Sequence, residues 1–338
     1  MEQNHRKKAR RRTGAAALLL AAWLCCIPVR AQALSLVPVG RPVGIRLTTP
    51  GALVVGLTKT QFDSPAAAAG LRAGDLITSV QGKPVGSAAD FLAAAAEFDG
   101  SEVLLTAERG GKTLSFRVRP QKMPDGWALG VWLRDSISGI GTVTFYDPET
   151  GYFGALGHPI NDVDTGVLLP VGSGEITDAE VVGIRKGQCG TPGELCGSPD
   201  AEAVCGSVLH NTPCGIFGYL HIDGAGEALP VADESEIRTG SACILSNVQG
   251  REVAAYAIEI EQVHHGGTRT LCFRVTDETL LDLTGGIVQG MSGSPILQDG
   301  RLIGAVTHVL VNDPTRGYGI SIGQMLEAGR EIPQSKAA

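Results

Sequence analysis

The sequence predicts a mainly β protein in two parts, a small β-rich domain followed by a larger antiparallel β domain. Three observations carry this reading. Glycine supplies 46 of 338 residues, about twice the usual ~7%, and glycine serves turns while weakening helix interiors. The apolar residues come in short runs rich in Val, Leu and Ile, broken by turn-forming clusters. The length exceeds what one domain of roughly 100–200 residues uses. Apolar residues make up 43% of the chain, enough to exclude a wholly disordered protein.

Residues 1–33 form a separate piece. Arg6, Lys7, Lys8, Arg10, Arg11 and Arg12 make a basic run, the 13 residues from 15 to 27 are apolar, and Ala31-Gln32-Ala33 fits a small-residue cleavage site. That layout is a secretory signal. A membrane span needs ~20 apolar residues, so a signal peptide is the first reading and an uncleaved signal anchor the alternative. The expected location is outside the cytoplasm, secreted or held at a membrane by this segment.

The chain beyond the signal is acidic. Residues 1–33 hold seven of the 28 Lys and Arg and one of the 35 Asp and Glu, leaving 21 basic and 34 acidic residues, a net charge of −13. Such a chain offers phosphates no electrostatic footprint, which sets nucleic acid aside. Six of the eight cysteines remain: Cys189, Cys196, Cys205, Cys214, Cys243 and Cys272. An even number in an exported protein permits disulfides. Buried free thiols are the second reading, and a metal site the third, since the spacings lack C-x2-C pairs.

Residues 35–121 read as the small domain. Segments 43–47 and 52–57 are strand-like. Ser64-Pro65-Ala66 opens a helical turn that Gly70 ends, and Ser87 caps a helix reaching Phe98, with Asp90 placed for a capping box. Strands near 103–107 and 113–118, joined by Gly110-Gly111, close the unit. The segment SPAAAAGLRAGDLITSVQGKPV resembles the bacterial PDZ pattern. PDZ domains bind an extended peptide by adding it to a sheet edge. The best match to their carboxylate-binding loop is Pro42-Val43-Gly44-Ile45, which makes Val43, Gly44 and Ile45 the peptide-binding residues for a C-terminus or for the protein's own chain. The plain alternative is a first strand with its lead-in.

Prolines at 120 and 124 mark a linker, and residues 125–338 form the second domain. Candidate strands lie at 140–146, 152–156, 167–171, 253–260, 271–275, 295–297, 302–311 and 318–322. Turn chemistry sits at 147–151 and 298–301, and 323–330 reads as a closing helix. The pattern is that of an antiparallel barrel or sandwich.

Three places in this domain carry chemistry. Gly290-Met291-Ser292-Gly293-Ser294-Pro295 has the glycines that let backbone N–H groups turn toward a serine nucleophile. In chymotrypsin-like proteases the serine's own N–H and that of the residue two before it form the oxyanion hole, here Ser292 and Gly290. Read blandly, the segment is a Gly-rich turn. A serine needs a base, and among the six histidines after the signal His158 stands out, between glycine and proline at the end of an apolar strand. His308, in the strand after the serine, reads as a packed residue. The base needs a carboxylate to hold its tautomer. Asp277 at the end of a strand, or Asp162 or Asp164 close after His158, meets that need, and spacing does not choose among them.

The order of parts, a signal segment, a PDZ domain, GHPI and then TDETLLDLTGGIVQGMSGSPILQDGRLIGAVTHVLVNDPTRGYGI, closely resembles the SpoIVB peptidase of endospore-forming bacteria. The resemblance implies a chymotrypsin-like β-barrel serine protease domain, or a modified form of it, with His158 as base, Asp277 as orienting carboxylate and Ser292 as nucleophile. It implies no metal and no organic cofactor. It also implies export from the forespore into the space between two membranes, self-cleavage near the N-terminus, and cleavage of a membrane-associated regulator that activates an intramembrane metalloprotease and so releases a late sigma factor. Asp277 lies nearer the serine in sequence than in chymotrypsin and is the least secure member. The rival reading is a catalytically silent PDZ adaptor that only binds a regulator.

Overall fold

Two long strands organise the structure, a computed structural model that describes residues 34–58, 64–124, 126–224, 226–267 and 269–330. The segment read as a signal, 1–33, lies outside these residues. Strand β1 (Ser35–Pro38) leads into β2 (Pro42–Leu57). The small-domain strands β3 (Leu76–Val80), β4 (Val103–Arg109) and β5 (Lys112–Val118) come next, and then β6 (Val131–Tyr146). β2 and β6 pair antiparallel along most of their sixteen residues, with Pro42 opposite Thr142 and Leu57 opposite Val131.

The outer half of β2 belongs to the small domain. Ala52 and Leu53 pair with β3, which continues to β4 and β5. β4 alternates buried and exposed residues, as a half-buried strand must. Helix α1 (Pro65–Ala68), capped by the Ser64 hydroxyl, and helix α2 (Ala88–Ala95), capped by Ser87, cover a core of Leu71, Ile77, Phe91 and Leu105. The Asp90 carboxylate accepts from the Gly86 N–H rather than closing a box on Ser87. Buried Asp75 is held by Arg109 at 2.6 and 2.7 Å, tying its turn to β4. The core also recruits Leu129, Val131 and Leu133, and 121–123 pairs with 126–128 as a short hairpin where a plain linker is expected.

The inner half of β2 does something else. β6 continues to β7 (Tyr152–Ala155), β10 (Gly215–Leu220), β9 (Glu194–Thr212) and β8 (Ser173–Arg185), and β8 pairs back onto β2. These six strands close a ring around Val43, Ile45, Leu47, Phe153, Ile176 and Ile216. A second closed barrel is built from β11 (Gly240–Gln249), β12 (Glu252–His264), β13 (Thr270–Val275), β14 (Pro295–Gln298), β15 (Arg301–Leu310) and β16 (Asp313–Ser321). Its core holds Ile244, Ile258, Phe273, Ile296 and Val306. The β14–β15 turn puts Asp299 and Gly300 at φ 51 and 73, the left-handed pair of a tight hairpin. Helix α3 (Glu278–Thr284) precedes β14, and the expected closing helix is α4 (Ile322–Arg330). Its Met325 packs with Phe145, Phe217 and Leu302, residues of both barrels.

Three expectations change. Residues 167–171 form no strand; only Leu168 makes a bridge, to Asn161. The structure shows no disulfide among the six cysteines, and none is fully buried: Cys189 is exposed and the other five half-buried, so neither the disulfide nor the buried-thiol reading is met. Burial raises the Cys205 and Cys243 thiols above their usual range. Val43, Gly44 and Ile45 form no open peptide-binding loop. Gly44 lies opposite Ile140 on one side and Thr177 on the other, so both ladder edges are occupied by the chain itself. A Cβ on Gly44 would sit 2.3 Å from Thr177 Oγ1 and 2.6 Å from Pro199 Cβ. Gly44→Val is therefore expected to overpack the first barrel and lower stability by about 1–3 kcal/mol, read as a fall in the urea midpoint. An unchanged midpoint would place residue 44 outside a packed barrel.

Candidate active site

The serine segment hangs between the barrels. Gln289 donates its N–H to Gly193 O at 2.8 Å and accepts the Leu195 N–H at 2.8 Å, both groups of the first barrel. Gly290 then turns at φ +96. Thr142, buried on β6, holds the next residues twice: its N–H donates to Ser292 O at 3.1 Å and its hydroxyl to Gly290 O at 2.7 Å. Gly293, at φ +98, lies so close to β6 that a Cβ would stand 2.0 Å from Thr142 O and 2.6 Å from Leu156 N. Only glycine meets both demands. Among the described residues, neither the Gly290 N–H nor the Ser292 N–H donates to a protein group. The Ser292 hydroxyl donates to Thr307 O at 2.8 Å. Ser294 is fully buried and its hydroxyl is spent on Ser246.

His158 arrives from the other barrel. Leu156 and Gly157 both take φ +71, which folds the end of β7 sharply toward β15, and a Cβ on Gly157 would press Thr307 and Ile320. Asn211 pins the segment after the histidine by accepting the Ile160 N–H and donating to Ile160 O. His158 Nδ1 lies 2.9 Å from Pro159 O. A carbonyl only accepts, so Nδ1 carries the proton and Nε2 keeps its lone pair. Burial pushes the His158 pKa below the ordinary histidine value and outweighs the Pro159 hydrogen bond, which raises it. The charge that His308 can carry lowers it further. His158, Gly290 and Ser292 line one cavity of about 540 Å³, walled mainly by apolar residues of both barrels.

The carboxylates are elsewhere. Asp277 is the N-cap of α3, accepting the Leu280 N–H at 3.0 Å and the Ala257 N–H at 3.3 Å. Among the described residues, neither it nor any other carboxylate lines the cavity. Asp277 leaves β13, a strand of the second barrel, whereas His158 rides on the first, so the local cap is what the aspartate reaches. A cap aspartate with a left-handed Gly285 closing the helix is a signal legible in the sequence. Asp162 and Asp164 are also engaged, both by Arg134. Burial raises Asp162, but hydrogen bonds from Thr165 and Arg134 outweigh it and hold the carboxyl below the usual range. The structure thus brings His158, Ser292 and Gly290 together and leaves Asp277 out. It adds Thr142 and Thr307, which no motif announces, and His308, whose ring centroid is 5.1 Å from that of His158.

One cavity between two six-stranded barrels thus holds a serine and a histidine. A family model described as SpoIVB peptidase S55 matches residues 125–326, and a PDZ domain model matches residues 42–119. The chain belongs to the SpoIVB peptidase S55 family, sporulation-associated serine peptidases. No curated protein sequence matches it. Among solved structures, the PDZ domain of the SdrC-like protein of Listeria monocytogenes is 27% identical over 26% of this chain and 90% of its own, with TM-score 0.23. The active form of the Rv3671c protease of M. tuberculosis is 16% identical over 61% of this chain and 78% of its own, with TM-score 0.34. The HtrA-type protease AlgW with a tripeptide is 15% identical over 58% of this chain and 56% of its own, with TM-score 0.37. Among the described residues no helix is long and apolar enough to cross a membrane.

Two substitutions test this geometry. Asp277→Asn keeps a cap acceptor and is expected to leave kcat/KM within a few-fold of the parent, while Asp277→Ala costs about 1 kcal/mol of stability. A loss of roughly 10⁴-fold in Asp277→Asn would return the residue to the histidine. Thr142→Val removes the hydroxyl bond to Gly290 O, a loss of about 1 kcal/mol. It is expected to lower kcat more than it moves the thermal midpoint; the reverse ranking would make the bond merely structural.

Proposed function

We propose that Ser292 attacks a peptide carbonyl, that His158 Nε2 takes its proton and returns it to the leaving amine, and that the Gly290 and Ser292 N–H groups receive the developing oxyanion. The unspent Gly290 and Ser292 N–H groups, beside a serine and a histidine on one cavity, carry this reading. Before attack the Ser292 hydroxyl must swing from Thr307 O toward His158, a rotation about one side-chain bond. The acyl-enzyme is then hydrolysed by water that the same imidazole deprotonates. Neither step calls on a metal or an organic cofactor.

The protein cut in this reading is a membrane-associated regulator of an intramembrane metalloprotease, so that cleavage leads to release of a late sigma factor, and the chain also cuts itself near its N-terminus. The basic and apolar layout of residues 1–33 supports export across the forespore membrane. In this reading the PDZ portion takes a protein C-terminus or the protein's own chain, while β8 adds to residues 43–48 of β2 within the first barrel.

A fluorophosphonate probe tests the reading against a silent adaptor. The parent is expected to label at one site and Ser292→Ala to stay unlabelled with little change in melting. With His158 held below the ordinary histidine value of ~6.5, the neutral base persists at neutral pH, and labelling is lost only as pH falls below that value. No labelling at any pH would make the protein a binding module.

A further inference from the structure

We infer that His308 is a positioning partner of His158, its ring packed beside the base while the Pro159 carbonyl holds Nδ1. The inference rests on the peptidase reading and names a residue that reading does not use.

His308 reaches the site because β15 is irregular there. Val306 pairs with Gly319 and His308 with Tyr318, so Thr307 is an extra residue in the strand. A bulge of this kind re-aims the side chains after it. Val306 faces the barrel core, whereas His308 is turned to the outer face and lines the cavity with His158. The same bulge presents Thr307 O to the Ser292 hydroxyl. One irregular step in one strand thus sets the resting serine and the ring beside the base.

The rings meet at 5.1 Å between centroids and 40° between planes, a tilted packing contact rather than an in-plane hydrogen bond. It closes one side of His158 while Pro159 O holds Nδ1. The Pro159 carbonyl fixes the tautomer, and the His308 ring holds the plane. An aromatic face also tolerates a cation, so a neutral His308 accommodates the imidazolium formed when Ser292 gives up its proton.

Among the described residues, His158 and His308 are the only titratable side chains that line the cavity. The nearest acids on the elements around it are engaged elsewhere, Asp162 and Asp164 by Arg134 and Asp277 by its helix. Tyr318, across the β15–β16 ladder from His308, is the remaining titratable neighbour. Burial lowers the His308 pKa as well, and a charge on His308 opposes a charge on His158. Removing that charge raises the His158 pKa, so the acid limb of activity shifts to higher pH.

The test uses the full chain and kcat/KM for a peptide or ester across pH, with probe labelling alongside. His308→Ala is expected to lose roughly ten- to a hundredfold in kcat/KM at neutral pH, since the base loses its lateral support. His308→Phe, which restores a flat ring, is expected to recover most of that loss. His308→Gln, neutral and polar, is expected to move the acid limb upward toward the ordinary histidine value, a change a merely structural role would not make. Parent-level kcat/KM in His308→Ala, or an acid limb unmoved in His308→Gln, overturns the inference while labelling of the parent leaves the peptidase reading standing. A parent that does not label overturns both.

Discussion

The structure depends on one close approach of backbone to backbone, where Gly293 meets Thr142 and the turn after β7. The serine segment belongs to the second barrel and the histidine to the first, and the chain between them is too long to fix their separation. The fit at Gly293 fixes it. With no Cβ in the way, Ser292 O reaches the Thr142 N–H, Gly290 O reaches the Thr142 hydroxyl, and Gly293 N–H donates to Val306 O at 2.7 Å on the far side. The segment is held at its ends and middle, and the Gly290 and Ser292 N–H groups, on residues that line the cavity, are left over. In the proposed reaction such fixed donors need not be reorganised as charge develops.

A second constraint is economy of strand. β2 is at once the first strand of the PDZ portion and a stave of the first barrel, and the register changes between residues 48 and 53 mark where one use gives way to the other. Residues 43–48 are taken on both edges, by β6 and by β8. The PDZ portion is tied to the peptidase by a ladder of hydrogen bonds rather than by a tether, so a force on one is felt by a strand whose side chains Ile45 and Leu47 pack near the catalytic cavity.

Among the described residues no carboxylate lines the cavity: the Pro159 carbonyl accepts from His158 Nδ1, the His308 ring lies beside it, and burial lowers the His158 pKa. A buried carboxylate would stabilise the imidazolium more strongly, but it would itself have to be desolvated. The acids nearest in sequence are instead paired to Arg134 or spent on a helix cap, where each satisfies a local demand for hydrogen bonds.

Local chemistry was legible in the sequence. The Ser87 cap, the Asp299-Gly300 turn, the strands at 271–275 and 302–311, the histidine between Gly157 and Pro159 and the serine before Gly293 all depend on neighbours within a few residues. The GLRAGD turn identified the PDZ portion on the same terms. Long-range pairing was not legible. β8 and β9 are rich in Gly, Ser and acids and are not among the expected strands, because their strand character comes from the ladder they share rather than from propensity. The sequence determined which residues are able to act, since nucleophile, base and glycine turns are properties of residue types and their neighbours. The tertiary structure alone decided that Asp277 lies away from His158, that residues 43–45 close a barrel, and that His308 lies beside His158, because each depends on which distant strand supplies the facing surface.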